Sequence, residues 1–561
     1  MKNNTTKRQR VSLGRFLKTV ALGLGLLAGP VLASPPSGYY QVWNDEFDGN
    51  SLDGSKWGTF TGTHRDAVNT GSAISVGGSV MTIKTYTSSG THYTGFIGTQ
   101  GKFATKFGYF EAFIDWNDSP GMWSAFWLQS DMMDDWPFPT TYLDNTVAAG
   151  TEIDICEHRS QNSSGTSIAD QGVSNLHWNG YDTYATSTGS SLYGSGLNSG
   201  SHTYGLLWDS SSYRFYVDNS QVYSTSSALS QHSEWIVLSS EVLNGGWSGN
   251  IPSGGYGSSS SSGTKMNVAY IRYYAPSTMS FWDGTDSAYW TNSANWVSSH
   301  SPGSAYDIVF SLLSKGNYTT KLGRDCTVNS LSILESSYIT IEENTLTINN
   351  LVDLNSAWND AQINSDVILG NANTWRIGGG RTLAVYGNIS GGHSLTLDGF
   401  GVAALYGNNS YTLGTTVNSG TLRIRERHRA WREQRRHHGE RWGHAANLRQ
   451  PHLRRTAVTQ RHHPRPACQR RGECHLDRPH HACQRRDDQA RRRHRAGDQW
   501  RHWRRSQSLS GGGLGRAGHR QRRDQYRCLP RHQERGGTLD SRRHQHLHRR
   551  AERGQRQHQR G

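Results

Sequence analysis

The sequence predicts an all-β protein, and three observations support this. Short runs of β-branched and aromatic residues alternate with Gly, Ser, Asn and Asp turns through residues 34–276. No long helical pattern interrupts these runs. From residue 277 short Thr-, Asn- and Gly-rich strands follow one another like successive rungs. The first texture is typical of a β-sandwich or jelly roll, and the second is typical of stacked repeats.

The first 33 residues predict a secretory signal. Six Lys and Arg residues precede an apolar run over 20–32, and small residues at 31–33 offer a cleavage site before Ser34. The apolar run is too short and too Gly-rich to span a bilayer comfortably. No later stretch is long or apolar enough to do so. We therefore expect a secreted, extracellular protein whose mature chain has no membrane span.

Residues 34–276 predict the β-sandwich. The runs at 79–84, 213–218 and 235–238 have the β-branched and aromatic composition of strands. The serines at 258–262 predict a surface loop ahead of a closing strand over 266–274. Cys156 and Cys326 are the only cysteines before residue 425 and fall in different predicted domains, so we expect no disulfide framework.

Residues 277–424 predict a second all-β domain. Its start is rich in tryptophan, and the segments 345–349, 394–398 and 416–424 read as equivalent strands. This pattern resembles autotransporter-associated β-strand repeats. The resemblance implies a short β-solenoid, in which each coil buries its apolar face against its neighbours. Such a domain would present a surface rather than a reaction centre.

Residues 425–561 differ in composition from the rest of the chain. The chain through residue 424 has 21 Lys and Arg against 32 Asp and Glu, whereas the remainder has 38 Arg, 12 Asp and Glu, and no Lys, Ile, Met or Phe. We expect a disordered basic tail, because it cannot bury enough apolar surface to fold. Its Arg- and His-rich composition suggests a frameshift product rather than a nucleic-acid-binding segment, and its Cys and His spacings fit no common zinc finger.

Residues 152–157, Glu-Ile-Asp-Ile-Cys-Glu, place three carboxylates within one predicted strand. Alternation puts Glu152, Asp154 and Cys156 on one face and Glu157 on the other. A β-bulge near Ile155 or Cys156 would bring Glu157 beside the other two acids. Cys156 would then be a packing residue. Two carboxyl groups about 5–5.5 Å apart are what a retaining glycosidase requires.

Motifs on both sides of these acids occur in a recognisable order. They are Trp-Asn-Asp-Glu-Phe at 43–47, Gly-Tyr-Phe-Glu-Ala at 108–112, Gly-Met-Trp-Ser-Ala-Phe-Trp-Leu at 121–128, Leu-His-Trp-Asn-Gly-Tyr at 176–181 and Ile-Arg-Tyr-Tyr at 271–274. Together with the acidic motif they resemble glycoside hydrolase family 16, in its bulged, laminarinase- and agarase-like form. The resemblance covers roughly the first half of the chain and implies a concanavalin-like jelly roll.

The resemblance also implies roles for individual residues. Glu152 matches the nucleophile, Glu157 the acid/base, and Asp154 the acid between them that hydrogen-bonds the nucleophile. Five further residues are implied, or are candidates, for substrate binding: Trp123, Trp127, His177, Trp136 and Trp178. Alternation puts Trp123 and Trp127 on one face, opposite Phe126 and Leu128, so we expect both tryptophans in the groove.

No cofactor is expected. Many family members hold a structural calcium with an Asp just before the aromatic residue of the last strand, but this chain has Ala269 there. A calcium ion would then depend on backbone carbonyl oxygens. We expect a monomer that acts on a polysaccharide, most simply β-1,3- or mixed-linkage glucan. The alternatives are an agarase- or carrageenase-type galactan hydrolase and a non-catalytic glycan-binding adhesin.

Overall fold

The computed structural model of the protein describes residues 35–424 except 118, 135–137 and 335. The regular secondary structure of the described residues is almost entirely β-strand, which confirms the predicted fold class. Their helical content is one short α-helix, α1 (Thr146–Ala149), and the 3₁₀ turns Gly71–Ala73, Asp131–Asp134, Thr140–Tyr142, Gly246–Ser248 and Ser293–Asn295. No helix in this part of the chain has the length and apolarity needed to cross a membrane. The predicted signal (1–33) and tail (425–561) lie outside the described residues.

The first domain contains twenty strands. In chain order they are β1 (Tyr39–Asp45), β2 (Gly58–Thr59), β3 (Gly62–His64), β4 (Ala67–Asn69), β5 (Ile74–Val76), β6 (Met81–Lys84), β7 (Tyr86–Ser88), β8 (Thr91–Thr94), β9 (Phe96–Gly98), β10 (Ala104–Thr105), β11 (Gly108–Asp115), β12 (Met122–Gln129), β13 (Glu152–His158), β14 (Gly172–Trp178), β15 (Thr186–Gly189), β16 (His202–Trp208), β17 (Tyr213–Val217), β18 (Ser220–Thr225), β19 (Glu234–Val242) and β20 (Lys265–Pro276).

Two antiparallel eight-stranded sheets form the sandwich. The first has the order β18-β17-β16-β11-β20-β6-β5, with β1 beside β20. The second has the order β15-β14-β13-β12-β19-β9-β2, with β10 beside β19, and it carries the acidic motif. Alternate residues of both sheets meet in one hydrophobic core, which contains Phe110, Phe126, Leu206, Ile236 and Ile271. The other face of the second sheet is therefore left to form a groove.

The second domain is a parallel β-solenoid of fifteen strands in the described residues. They are β21 (Met279–Phe281), β22 (Asp307–Phe310), β23 (Thr319–Lys321), β24 (Cys326–Ile333), β25 (Ile339–Glu342), β26 (Thr345–Leu354), β27 (Ala361–Ile363), β28 (Asp366–Leu369), β29 (Asn373–Ile377), β30 (Thr382–Val385), β31 (Ile389–Ser390), β32 (Leu395–Gly399), β33 (Val402–Leu405), β34 (Thr415–Val417) and β35 (Thr421–Ile424).

The solenoid strands form two sheets, β21-β22-β24-β26-β29-β32-β34 and β23-β25-β27-β30-β33-β35, with β28 and β31 joined to the first. Hydrogen bonds between equivalent side chains and backbones of adjacent coils join residues 20–22 apart. Inward Ile, Leu and Val side chains fill the interior, and Trp282, Trp290 and Trp296 close its first end with ring centroids 5.0 and 5.6 Å apart. The solenoid prediction is confirmed, whereas the assignment to autotransporter repeats stays a prediction.

The two domains follow each other without a linker. Strand β20 ends at Pro276 and β21 begins at Met279. Four apolar side chains of the solenoid belong to the hydrophobic core of the sandwich rather than to their own: Met279, Phe281, Val309 and Leu334. The domains therefore share buried apolar surface, and sandwich and solenoid belong to one compact unit.

Candidate active site

Strand β13 contains the predicted β-bulge. Against β12, Cys156 pairs with Phe126 and Asp154 pairs with Trp127, so Ile155 has no partner of its own. The register of β13 against β14 shifts across the same residues. Ile155 and Cys156 both point into the core, at 2% and 0% exposure. The extra residue reverses the alternation, so that Glu157 shares a face with Glu152 and Asp154.

Neighbouring residues of β14 support the bulge. The Ile155 carbonyl accepts a hydrogen bond of 2.8 Å from the buried hydroxyl of Ser174. The Cys156 thiol lies over Gly172, where a Cβ atom would approach its sulfur to 2.9 Å. Any larger residue at position 172 would therefore press against the Cys156 sulfur. Cys156 is buried and not disulfide-bonded, and burial raises the pKa of its thiol, as expected for a packing residue.

We predict that Ser174→Ala destabilises the protein by about 1–3 kcal/mol, because it removes the main donor to a buried carbonyl. The measurement is the free energy of unfolding in urea. Ser220→Ala, at an exposed position of β18, is the control and should change stability little. A Ser174→Ala variant as stable as the parent would show that the bulge does not depend on this hydrogen bond.

The Glu152 carboxylate is held from two sides. Its Oε2 accepts a short hydrogen bond from the Tyr181 hydroxyl and a 3.4 Å bond from Gln129 Nε2. Gln129 Nε2 also lies 2.6 Å from the Tyr181 oxygen. Glu152 Oε1 lies 3.9 Å from His177 Nε2. These contacts fix the position of the side chain while leaving it half-buried in the groove.

Asp154 lies between the two glutamates and is 4% exposed. Burial raises the pKa of its carboxyl well above the ordinary value, and the charges of Glu157 and Glu152 raise it further. His177 Nε2 lies 3.4 Å from Asp154 Oδ2. Asp154 can therefore hold a proton at a pH where an exposed Asp has lost it.

His177 belongs to this acidic cluster. Burial lowers the pKa of its imidazole, but the hydrogen bond to Asp154 and the charges of Glu152 and Asp154 outweigh burial and raise it to about 10. The possible ligand atoms of Glu152, Asp154 and His177 lie within 4.8 Å of one another, which is compatible with a metal ion by distance alone. A metal ion there would have to displace a proton from His177, because only the neutral imidazole has a lone pair to give.

Glu157 is 4% exposed, and each of its carboxylate oxygens accepts a hydrogen bond. Trp123 Nε1 donates to its Oε1 at 2.6 Å, and Asn175 Nδ2 donates a short bond to its Oε2. Burial raises the pKa of the Glu157 carboxyl, and the charge of Glu152 adds to this. The bonds from Asn175 and Trp123 and the charge of His177 oppose the rise. The net direction is upward, which favours the protonated form.

A second charged cluster lies beside Trp123. The Arg65 guanidinium stacks over the Trp123 ring at 4.2 Å and forms an ion pair with Glu241, which also lies 3.1 Å from His64 Nε2. Burial raises the pKa of Glu241, but Arg65 and His64 outweigh it and lower that pKa to about 2. Trp247 meets Trp123 edge-on at 6.0 Å and is 36% exposed. Trp123 therefore stands at the groove with its indole NH committed to Glu157.

Of the other aromatic residues predicted to bind substrate, the two that the structure describes do not offer an exposed ring in the groove. Trp127 lies on the groove side of β12, as predicted, but it is 6% exposed and packed among Phe60, Phe96 and Trp235. It therefore forms part of the groove floor and does not offer an open ring to a sugar. Trp178 shares the core-facing side of β14 with Leu176 and packs on the core, so a substrate contact is not supported for it. Trp136 lies outside the described residues.

Three residues of the site were not among those that the sequence pointed to: Gln129, Asn175 and Glu241. Strand alternation alone identifies Asn175, two positions before His177, and Gln129, two positions after Trp127. Glu241 requires the pairing of β19 with β12, where it lies opposite Trp123.

The stretch considered for calcium belongs to β20. Ala269 supplies no side-chain oxygen there. The neighbouring Asn267 side chain is hydrogen-bonded to Thr82 at 2.9 Å and Asp115 at 3.1 Å. The side-chain carboxylate that the family resemblance would require is thus not present at this position.

Comparison with known proteins agrees with this geometry. Residues 61–272 match the family model described as Glycosyl hydrolases family 16. Glucan endo-1,3-beta-glucosidase A1 of Niallia circulans is 24% identical over 292 residues, which span 45% of this chain and 40% of that protein. Endo-1,3-1,4-beta-glycanase ExsH of Rhizobium meliloti is 29% identical over 191 residues, which span 33% of this chain and 34% of that protein. The chain thus spans well under half the length of these relatives.

Among solved structures, the catalytic domain of an endo-1,3-beta-glucanase (laminarinase) from Thermotoga petrophila is similar to 42% of this chain and 98% of its own length. The two share 19% sequence identity, with a TM-score of 0.34.

Proposed function

Because residues 61–272 form a domain of glycosyl hydrolase family 16, we propose that this protein is a secreted, retaining, endo-acting glycosidase. Its substrate is a β-1,3-glucan or a mixed-linkage β-1,3-1,4-glucan. The observation that carries the proposal is the bulge at Ile155, which gathers Glu152, Asp154 and Glu157 on one face of the sheet beside Trp123.

The first half of the proposed reaction is glycosylation of the enzyme. The ionised Glu152 attacks the anomeric carbon and forms a covalent ester, while the bond from that carbon to the leaving oxygen breaks. Glu157 gives its proton to the departing oxygen. Burial and the negative charge of Glu152 favour the protonated Glu157 that this step needs.

The second half is hydrolysis of the ester. Glu157, now ionised, removes a proton from water, and the hydroxide oxygen bonds to the anomeric carbon as Glu152 departs. Two inversions give net retention. The buried Asp154 and the partly exposed His177 form a proton-sharing pair next to Glu152, so they can buffer the change in charge as its carboxylate becomes an ester and is released.

The choice of substrate follows the names of the two relatives, an endo-1,3-beta-glucosidase and an endo-1,3-1,4-beta-glycanase. Secretion follows from the basic and apolar segment at residues 1–33. A polysaccharide substrate also agrees with a groove bordered by half-exposed indoles such as Trp123 and Trp247.

The test uses the full chain on four polysaccharides: laminarin, barley β-glucan, agarose and carrageenan. We expect reducing ends from the first two, released as oligosaccharides, and NMR of the first product should show the β-anomer. Release from agarose or carrageenan alone would replace the glucan assignment. Binding to a glycan without release from any of the four would refute the hydrolase and favour an adhesin.

A pH measurement tests the role of Glu157. Asn175→Leu keeps the side-chain volume but removes the strongest hydrogen bond to the ionised Glu157. The charged form loses support, so the pKa of Glu157 rises and its protonated form persists to higher pH. We expect the alkaline limb of kcat/KM to move to higher pH. A limb that stays in place, or moves down, would show that Glu157 is not the group that titrates.

A further inference from the structure

One column of side chains on the solenoid faces the sandwich. Successive coils pair Phe281 with Val309, Val309 with Ser332, Ser332 with Asp353, and Asp353 with Arg376. Their chain neighbours, such as Ile308 and Phe310, or Val352 and Leu354, point into the solenoid core instead. The column therefore faces outward, where side chains of a solenoid normally meet solvent. Here its first four members are 1–4% exposed, because the sandwich covers them.

The side chains of this column are apolar in the first coils and charged in the later ones. Phe281 and Val309 complete the hydrophobic core of the sandwich. Two coils further on, the buried Asp353 pairs with the buried Lys106 and lies 3.6 Å from Arg376 Nη1. Arg376 Nη1 also donates to Gln231 at 2.6 Å. Each buried charge requires its partner in a defined position. This contact therefore favours one orientation of the two domains.

The polar contacts reach the chain segments that enter the active-site strands. Asn355 Nδ2 donates to the carbonyl of Val147 at 2.7 Å, in helix α1 and five residues before Glu152. Ser356 Oγ accepts from the backbone NH of Ser233 at 2.8 Å, one residue before β19 begins. These two segments are tied to each other, because Thr151 N donates to Glu234 Oε1 at 3.1 Å.

An aromatic contact extends the same support. The Phe400 ring of the solenoid meets Tyr142 edge-on at 4.9 Å. Tyr142 packs in a cluster with Met133, Phe138 and Tyr181, and the Tyr181 hydroxyl donates to Glu152. A continuous chain of packed side chains therefore runs from the solenoid surface to the carboxylate in the groove.

The backbone NH of Asn355 donates to Asp353 Oδ1 at 2.8 Å. We propose that the solenoid is a positioning element of the active site: Asn355 and Ser356, fixed by Asp353, hold helix α1 and the start of β19, and thereby set the position of Glu152. This rests on the proposed function. The solenoid then contributes to hydrolysis. Loss of its contact with helix α1 and β19 lowers kcat and leaves KM little changed.

The experiment compares full-length variants at and away from the contact. Asn355→Ala removes the donor to Val147, and Phe400→Ala, at a 36% exposed position, is the milder second variant. Asp366→Asn is the matched control, because Asp366 is an exposed solenoid carboxylate whose hydrogen bonds, within residues 35–424 as described, go to Asn388 in the next coil. The readouts are kcat and KM on laminarin, amide exchange of residues 146–151 and thermal melting.

For Asn355→Ala we expect kcat to fall roughly 10- to 100-fold with KM little changed, since small displacements of a reacting group cost about that much. Amide exchange of residues 146–151 should become faster. Phe400→Ala should also lower kcat and speed this exchange, by smaller amounts. Asp366→Asn should match the parent in kcat and in exchange. Cooperative melting of Asn355→Ala near the parent temperature excludes global unfolding, and if that variant does not fold, Phe400→Ala decides.

Three results would overturn the proposal. Parent-like kcat despite faster exchange would mean that the contact does not reach Glu152. An equal loss of kcat in Asp366→Asn would mean a general effect of solenoid stability. A rise in KM alone would make the solenoid a binding surface. A parent inactive on all β-glucans refutes the proposed function instead, and the exchange data then still report whether the coils hold residues 146–151.

Discussion

Glu152→Gln is expected to lower kcat/KM on β-glucan by about 10⁴-fold or more, which is the scale on which loss of a covalent nucleophile acts. The amide has no charge with which to attack the anomeric carbon. The change is nearly isosteric, and the amide oxygen can still accept from Tyr181. The fold and the glycan affinity should therefore survive. The measurement pairs turnover with thermal melting and with glycan binding by the inactive variant.

The control for this variant is Glu46→Gln. Glu46 lies after β1 and bonds to Arg272 of β20 through both carboxylate oxygens at 2.7 Å, so it belongs to the first sheet and not to the groove. Its substitution should leave kcat near the parent value. Glu152→Gln activity within tenfold of the parent would exclude Glu152 as the nucleophile.

Glu152→Ala gives a sharper version of the same test. The cavity left by the carboxylate can admit azide, which attacks an activated aryl β-glucoside oligosaccharide from the face that Glu152 occupied. The expected product is the α-glycosyl azide, inverted relative to the substrate. A β-azide would assign Glu152 the acid/base role and exchange the two glutamates.

The three acids of the site could be predicted from sequence because they lie close together in one strand. Period-two alternation puts Glu152 and Asp154 on one face, and only a bulge lets Glu157 join them. The same rule puts Trp123 and Trp127 on the groove side. It does not say how deep each residue lies, because depth depends on Phe60 and Phe96, which come from distant parts of the chain. Trp127 is therefore buried in the floor of the groove.

The contact between the domains could not be predicted in this way. The alternation of Val352, Asp353 and Leu354 predicts a solenoid strand with an acid facing solvent. Only the tertiary structure brings Lys106, 247 residues away, onto that acid. A buried ion pair has no sequence signature, because each partner alone looks like a surface residue. The sequence therefore suggested two independent domains, whereas in the structure the two domains share buried surface.

Glu157→Gln should lower kcat/KM on polysaccharide by about 10²–10⁴-fold, the range for loss of a general acid. The loss should depend on the leaving group. A sugar hydroxyl leaves only when protonated, whereas dinitrophenolate leaves without help, so cleavage of a dinitrophenyl glycoside to the covalent ester should stay within about tenfold of the parent. The measurement is a burst of dinitrophenolate followed by slow turnover. Turnover is slow because the Gln side chain cannot remove the proton from the water that hydrolyses the ester.

The pH profile completes the argument for Glu157. In the parent, its raised pKa keeps the acid protonated above the ordinary pH range of a glutamate, and its ionisation forms the alkaline limb of kcat/KM. Gln cannot ionise, so that limb should disappear in Glu157→Gln, while the acidic limb, which does not depend on Glu157, should remain. A surviving alkaline limb would identify another acid, and His177, with its pKa near 10, would be the first to examine.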